Sequence, residues 1–540
     1  MKLPLALKNN LLFLFSETHA ELSNFSVLLE TGLTGLADNI LKRRGYAANL
    51  RLRIHESSAE ALRLYDSRPV DTLSLRAAEA VSLALENIID NCFVSVEYVG
   101  RVKSKKILQN KTLLKMPAML LDVLVEIEDA LERNQVPVLD DMHSLLKRLD
   151  RLREDFQSQR VAHVKKLKHP EDVISALYIA NAMLQMGRDV VHITESMMSA
   201  SIGQPMKLQG YLSLQSALTD FENREVQIKP VAETRSGSGI SGIKDSKAAD
   251  GDYLAIFKDG SKEKLREEKN SVKIWHQLFP GLAPQILAYN KSGKSASLLI
   301  EYLPGSTFED ILCNGTDELL QATRKRLFKT LRKIWQKTSV EGFVEAGHML
   351  QLEKRLDRVL EIHPEFELGR ENICGQQLPS LDDLVGTAKI LEDKFPPVFS
   401  VLIHGDFNID NIMYDEATDK IRFIDLHRSR QMDYVQDIAV FMVSNYRLQV
   451  FDRKIRQRIT DLCELTAAFA RDFAIKNQDM TFEFRLMLAL ARSFITSTRF
   501  ILDRTLSRNM FYRGVYLLQQ LSTMQEPVKM QPLSIRELFR

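Results

Sequence analysis

The stretch Ile403-His404-Gly405-Asp406-Phe407-Asn408-Ile409-Asp410-Asn411, followed by Ile421-Arg422-Phe423-Ile424-Asp425, decides how this chain is read. The first piece sets an Asp and an Asn five residues apart on a short loop, and the second brings another Asp to the end of an apolar strand. Three such groups suit phosphoryl transfer from Mg-ATP. Asp406 would accept the proton of an attacking hydroxyl, while Asn411 and Asp425 would hold the Mg2+ that neutralises charge on the transferring group. The competing reading is a turn between two strands that is merely rich in Asp and Asn. Context elsewhere in the chain has to decide between them.

The layout resembles the catalytic loop of the kinase-like superfamily, in the version with Gly after the His that occurs in aminoglycoside phosphotransferases and choline-kinase-like enzymes. Upstream, Arg235-Ser236-Gly237-Ser238-Gly239-Ile240-Ser241-Gly242 reads G-x-G-x-x-G. Such glycines cover phosphates in a kinase strand-turn-strand, open a helix in a dinucleotide fold, or make a flexible linker. The next segment, Tyr253-Leu254-Ala255-Ile256-Phe257-Lys258, is a strand ending in Lys with no helix opening at the last Gly, which is the kinase order. In that order Lys258 pairs with the ATP phosphates and with a Glu of the following helix, expected over 262–278. Glu267 and Glu268 both qualify, and the spacing of Val272, Trp275 and Leu278 favours Glu268. The apolar run that ends in Glu301-Tyr302-Leu303-Pro304-Gly305 corresponds by resemblance to the segment whose backbone reads adenine, so Glu301 and Leu303 are carried over on that ground alone.

Beyond Asp425 the chain reaches Asp433-Tyr434-Val435-Gln436-Asp437-Ile438-Ala439 within a few residues, which leaves no room for a long phosphorylated activation segment. Gly405 also stands where the Arg that binds such a phosphate would be. Both features favour a small-molecule acceptor over a protein. The stretch 433–439 resembles the aminoglycoside-phosphotransferase pattern Asp-Pro-x-x-Asp-Leu-Ala, with Tyr434 in place of Pro. Asp437 is then expected to brace the catalytic loop or contact the acceptor, or simply to be an acid in the first turn of a helix. His404 is read as an orienting, hydrogen-bonded residue.

From about residue 24 to 221 apolar residues recur at three- and four-residue spacing, which predicts long helices over 75–102, 116–132, 142–156 and 173–198. Pro69, Pro117, Pro137 and Pro170 are expected to start helices or shape their connections. The segments after Pro69 and Pro170 form a weak internal repeat, suggesting two related three-helix bundles. This organisation resembles the PhoU family of phosphate-transport regulators, whose bundles each carry a Glu/Asp-x-x-x-Asp metal motif. Glu86 and Asp90 match the first motif, but Leu184 and Arg188 occupy the acidic positions of the second, with Asp189, His192 and Glu195 just beyond. The favoured reading of Glu86 and Asp90 is therefore a solvated or structural pair. The basic clusters 101–106 and 160–168 have few aromatics and read as solvated surface, not a nucleic-acid site.

At 540 residues the chain is too long for a single core, and 73 Lys+Arg against 71 Asp+Glu leave a formal +2 that points to no nucleic-acid partner. Four scattered cysteines suggest neither a disulfide framework nor a zinc site. The run Leu11-Leu12-Phe13-Leu14-Phe15 is too short to span a bilayer and lacks the small residues of a signal cleavage site. The expectation is thus a cytoplasmic multidomain protein without a membrane span: an N-terminal all-α, PhoU-like helical bundle over 1–221, and a C-terminal α+β bilobal protein-kinase-like fold with a small lobe over 222–303 and a large lobe over 304–540. Its expected activity is ATP- and Mg2+-dependent transfer to a small-molecule hydroxyl, with a protein partner for the helical domain. The rival readings are a nucleotide-binding regulator acting through that domain, or a protein kinase.

Overall fold

A computed structural model describes residues 3–63, 72–135, 140–161, 168–202, 208, 226–233, 239–245, 253–292, 295–342, 346–524 and 531–540. The chain divides into two compact units, Met1–Lys262 with Leu287–Ile300, and Glu263–Ile286 with Glu301–Arg540. Gly237, Ser238, Pro69 and Pro137 lie outside the described residues, as do 162–167 of the second basic cluster.

The first unit begins with helices α1 (Leu5–Thr31), α2 (Thr34–Lys42), α3 (Tyr46–Arg63), α4 (Thr72–Arg101), α5 (Lys111–Glu132), α6 (Asp140–Val161) and α7 (Glu171–Ile202). Along α4 the residues Leu75, Ala78, Val81, Leu85, Ile88, Cys92, Val96 and Val99 are buried. Steps of three and four residues keep them on one face, and α4 packs that face chiefly against α7. Helical structure starts well before residue 24, because Leu7, Leu11, Leu14 and Phe15 already bury an α1 face that continues through Leu22 and Phe25. Pro117 does not start a helix but lies inside α5. The start is set by Asn110, whose side chain accepts from the amides of Thr112 and Leu113. Pro170 directly precedes α7, as expected.

The same unit carries most of a five-stranded sheet formed by β1 (Val226–Glu233), β2 (Gly239–Asp245), β3 (Tyr253–Ser261), β4 (Ile286–Ser292) and β5 (Ser295–Glu301), in the order β1-β2-β3-β5-β4. β1 and β2 pair antiparallel, and β2 sets Ile240 opposite Lys258 on β3. Gly239 and Gly242 therefore belong to a strand that continues to Asp245. That is a strand-turn-strand and not the opening of a dinucleotide-binding helix.

The second unit takes in α8 (Lys262–Leu278), β6 (Ser306–Thr307), α9 (Phe308–Asn314), α10 (Asp317–Thr338), β7 (Val340–Glu341), α11 (His348–Ile362), β8 (Glu371–Ile373), β9 (Gln376–Leu378) and α12 (Leu381–Lys394). It continues through β10 (Phe399–Ile403), β11 (Ile412–Asp415), β12 (Lys420–Phe423), β13 (Arg430–Met432), α13 (Val435–Tyr446), α14 (Arg453–Lys476), α15 (Phe482–Ser497), α16 (Arg504–Ser522) and α17 (Ile535–Phe539). Two small sheets, ordered β13-β10-β7 and β12-β11-β6, lie among these helices. Gly305, at φ +111°, lets the chain enter β6 directly against β11, where a Cβ would stand 2.2 Å from the Tyr414 carbonyl oxygen. The polar stretch 363–379 contains the β8–β9 hairpin, whose three-residue strands are too short to show a period in the sequence.

The fold is thus an all-α N-terminal bundle followed by an α+β region of small antiparallel sheets and helices. Among the described residues, no helix is long and apolar enough to cross a membrane.

Candidate active site

Strand β10 is buried along its whole length and delivers the chain into His404 at the start of α13's territory. Asp437, in the first turn of α13, turns its carboxylate onto that loop. It accepts the amides of His404 at 2.7 Å and Gly405 at 2.9 Å, so it braces the loop as well as sitting near a helix N-terminus. Burial pushes its carboxyl up to about 7, opposed by those two amides.

Gly405 has φ +83°, and a Cβ there would lie 2.3 Å from the Arg428 carbonyl oxygen. Glycine at this position is therefore a backbone requirement of the loop. His404 is fully enclosed, its Nε2 lies 3.0 Å from the Ile424 carbonyl and its Nδ1 accepts the Asp406 amide at 3.3 Å. Burial pushes its pKa down to about 4, so the neutral ring acts as a cross-tie between the loop and the end of β12. Phe407 and Ile409 anchor the loop from below, with Phe407 edge-on to Phe423.

The three central residues come together on this frame. Asn411 donates Nδ2 to the Asp406 carbonyl at 2.9 Å, and its own carbonyl accepts the Ile424 amide at 3.1 Å, one residue before Asp425. Asp425 adopts φ +60°, a left-handed conformation uncommon for a residue with a Cβ, and its Oδ1 lies 3.1 Å from His427 Nδ1. Asp406 accepts from Asn408 Nδ2 at 3.0 Å and is paired with Arg428 at 3.2 Å, yet its side chain keeps 19% of its exposure. Part of the carboxylate therefore faces solvent. The oxygen donors of Asn411 and Asp425 are the hard ligands that Mg2+ takes, so these residues fit the metal that the motif implies.

The remaining sequence-derived residues are placed as follows. Lys258 is buried on β3 of the first unit, while Gly239 and Gly242 lie on β2. In the second unit Glu268 lies on the buried face of α8 with Leu265, Val272 and Trp275, whereas Glu267 is exposed. Glu301 donates its amide to the Gln285 carbonyl at 2.8 Å, and its carboxylate accepts the Gln285 amide at 3.0 Å. Leu303 is buried just beyond. From α8, Trp275 Nε1 donates to Ser429 Oγ at 2.9 Å, and that hydroxyl donates to the His404 carbonyl at 3.1 Å, tying α8 to the catalytic loop.

Two arrangements in this unit were not read from the sequence. The ring of Tyr434 is buried among Phe399, Trp335 and Phe473, and its hydroxyl donates to Asp479 at 2.7 Å. Arg485, also buried, pairs with both Asp479 and Asp433. In spite of burial, the charge of Arg485 holds Asp433 low, at about 2. The other arrangement is cationic: Arg428 pairs with Asp406 at 3.2 Å, Arg492 on α15 bonds Gln351 of α11 one turn before Arg355, and the charges of Arg428 and Asp406 act on Arg355, on Arg492 and on Arg499 just beyond α15. The available signal was an isolated Arg in the apolar run Met487-Leu488-Ala489-Leu490-Ala491-Arg492-Ser493-Phe494-Ile495.

In the first unit, Glu86 is engaged by Arg51 in an ion pair and Asp90 is exposed. Asp189, on α7, is buried, which raises its carboxyl pKa, and it bonds with Asn87. Among the described residues no group of three or more His, Cys, Asp or Glu side chains is arranged to hold a metal ion.

A loop Asp beside an Asn and a second Asp, held on a strand-loop-hairpin and preceded by a Lys-bearing antiparallel sheet, is the arrangement of a kinase-like phosphotransferase. Residues 246–492 match the sequence model of the phosphotransferase enzyme family (APH). No curated protein matches the sequence significantly. Among solved structures, the phosphate transport system regulatory protein PhoU from Streptococcus pneumoniae aligns at 16% identity over 37% of this chain and 96% of its own, with a TM-score of 0.34. A Plasmodium vivax ethanolamine kinase aligns at 16% identity over 59% and 87% of the two chains, with a TM-score of 0.33. An aminoglycoside-3'-phosphotransferase of type VIII aligns at 15% identity over 53% and 99%, also with a TM-score of 0.33.

Proposed function

We propose that the protein transfers the γ-phosphate of ATP to a hydroxyl of a small molecule. The observation that carries this reading is the convergence of Asp406, Asn411 and Asp425 on one hydrogen-bonded frame, with Asp406 accessible. The acceptor oxygen forms a bond to the γ-phosphorus as the bond to the β,γ-bridging oxygen breaks. ADP departs, and the hydroxyl proton passes to the Asp406 carboxylate. Asn411 and Asp425 would hold Mg2+, which when bound supplies positive charge to the phosphate oxygens. Lys258 and Glu268 are assigned to nucleotide positioning, Gly237, Ser238, Gly239 and Gly242 to covering the phosphates, and the backbone at Glu301 and Leu303 to adenine.

The chain between Asp425 and Asp433 supports a small acceptor over a protein. It is used up by a tight turn at Leu426–Arg428 and by β13, which returns to pair with β10. The division into 1–221, 222–303 and 304–540 is retained as a functional proposal, in which the first part regulates or docks a protein partner. A cytoplasmic setting goes with it, since all four cysteines are unbonded and Mg-ATP is the reagent.

The test is transfer of label from γ-labelled Mg-ATP into the small molecules of a cell extract. Asp406→Asn should lower transfer by about 10²–10⁴-fold, the usual worth of a general base, with ATP binding retained. Undiminished turnover by that variant would remove Asp406 from its role.

A further inference from the structure

The surroundings of Asp406 are strongly cationic. Arg428 contacts it at 3.2 Å. Arg355, Arg492 and Arg499 come from separate elements, yet all feel both Arg428 and Asp406 electrostatically, and Arg355 also feels Arg492 and Arg499. Arg492 is buried, with NH1 on Gln351 at 3.3 Å and NH2 on Ser493 at 2.8 Å, so its hydrogen bonds go to neutral groups. Its Nε, and that of Arg499, are buried without a hydrogen-bond partner. Arg355 makes no hydrogen bond or ion pair among the described residues.

Nearby carboxylates do not balance this charge. Glu392 is committed to the N-terminus of α11, where it accepts the amides of His348 at 2.7 Å and Met349 at 3.0 Å. Asp437 is committed to the catalytic loop. Burial, and then repulsion by Arg428 and Arg499, pushes Arg355 down to about 10; burial, and then repulsion by Arg355, pushes Arg492 down to about 9. Holding like charges together in a partly desolvated place costs stability, and a bound oxyanion would relieve it with the forked hydrogen bonds that guanidinium makes to phosphate and carboxylate. A cationic acceptor of the aminoglycoside or amino-alcohol kind would meet repulsion at the same place.

Building on the phosphotransferase reading above, we propose that the phosphoryl acceptor is an anionic alcohol, a small molecule whose reactive hydroxyl is accompanied by a phosphate or carboxylate group that Arg355 and Arg499 receive, with the buried Arg492 adding positive charge behind them. Arg428 stays with Asp406 and orients its carboxylate.

Two measurements on the full chain test this. In the first, inorganic phosphate is titrated by calorimetry in the presence of saturating Mg2+ and a non-hydrolysable ATP analogue. Saturable binding is expected, weakened at least about tenfold by Arg355→Gln or Arg499→Gln, both partly buried positions, in variants whose denaturant midpoint matches wild type. Absence of saturable binding, equal binding by the variants, or loss of binding when the analogue is added would overturn the proposal; the last would put the arginines on the nucleotide's own phosphates. In the second, extract metabolites are separated by ion exchange into cationic, neutral and anionic pools before labelled transfer. Label in the anionic pool supports the proposal. Label only in a cationic or neutral pool refutes it and leaves the kinase reading standing, whereas label in none refutes the kinase reading and this inference with it.

Discussion

Each unit contains a pair of carboxylates that the sequence singles out, Glu86 and Asp90 for a metal motif and Asp406 and Asp425 for phosphoryl transfer, and the two pairs are treated in different ways. In the helical unit Glu86 is consumed by Arg51 and Asp90 points into solvent on the same helix. In the second unit Asp406 and Asp425 are held by backbone and side-chain bonds that fix their direction while leaving part of each carboxylate exposed. The lesson is that spacing alone does not make a site. What separates the pairs is the frame that holds them: Asp406 lies on a loop tied by Asn411, His404 and Asp437, whereas Glu86 and Asp90 lie along one helix.

The largest effect expected on this comparison comes from the support beneath the catalytic loop. Replacing Arg485 with Met would leave Asp433 and Asp479 buried without their cation, and should destabilise the second unit by about 3–5 kcal/mol, read as a lowered denaturant midpoint. A midpoint within error of wild type would mean that the network carries little of the frame. Gly405→Ala is expected to cost about 2–3 kcal/mol and to slow transfer, because the Cβ meets the Arg428 carbonyl at a positive φ. An alanine variant of full activity and stability would contradict the close approach.

Glu21 in the first unit and His404 in the second should respond oppositely to pH. Glu21, buried in α1 beside Glu17, is raised from the usual 4.5 to about 7, so its contribution to stability is complete below pH 4.5 and is lost as pH rises through 7. His404 is depressed from 6.5 to about 4, so its contribution is present above pH 6.5 and is lost as pH falls through 4. Glu21→Gln should flatten the loss between pH 4.5 and 7 in a helical-unit probe, and an unchanged slope there would remove Glu21 as its source. The smallest effect is reserved for Glu86→Ala with Asp90→Ala. Losing one partly exposed ion pair should cost no more than about 1 kcal/mol, and elemental analysis should find bound-metal content unchanged. Loss of a stoichiometric metal would turn the comparison over.

Legibility in the sequence followed the range of the interactions. Asp406, Asn411 and Asp425 could be read because their bonds run over a few residues of one loop and hairpin. Asp437 could be singled out, but its partners His404 and Gly405 lie more than thirty residues earlier, so bracing and simple helix-end placement stayed open until the fold joined them. Helix existence was legible from the buried periodicity of α4 and α7. Helix starts were less so: Pro117 looked like a beginning and proved interior, because capping by Asn110 outweighed it. The arginines around Asp406 were illegible for the same reason that Arg51 was. Each is an ordinary residue on its own helix, and only packing between distant elements gives it a charge to answer.

The most direct test sets the two pairs side by side in one assay of labelled γ-phosphate transfer by the full chain. Asp406→Asn should lower transfer by about 10²–10⁴-fold while binding ATP, and Glu86→Ala with Asp90→Ala should transfer at the wild-type rate. Undiminished transfer by Asp406→Asn, or transfer that fails when only Glu86 and Asp90 are replaced, would contradict the assignment of the chemistry to the second unit.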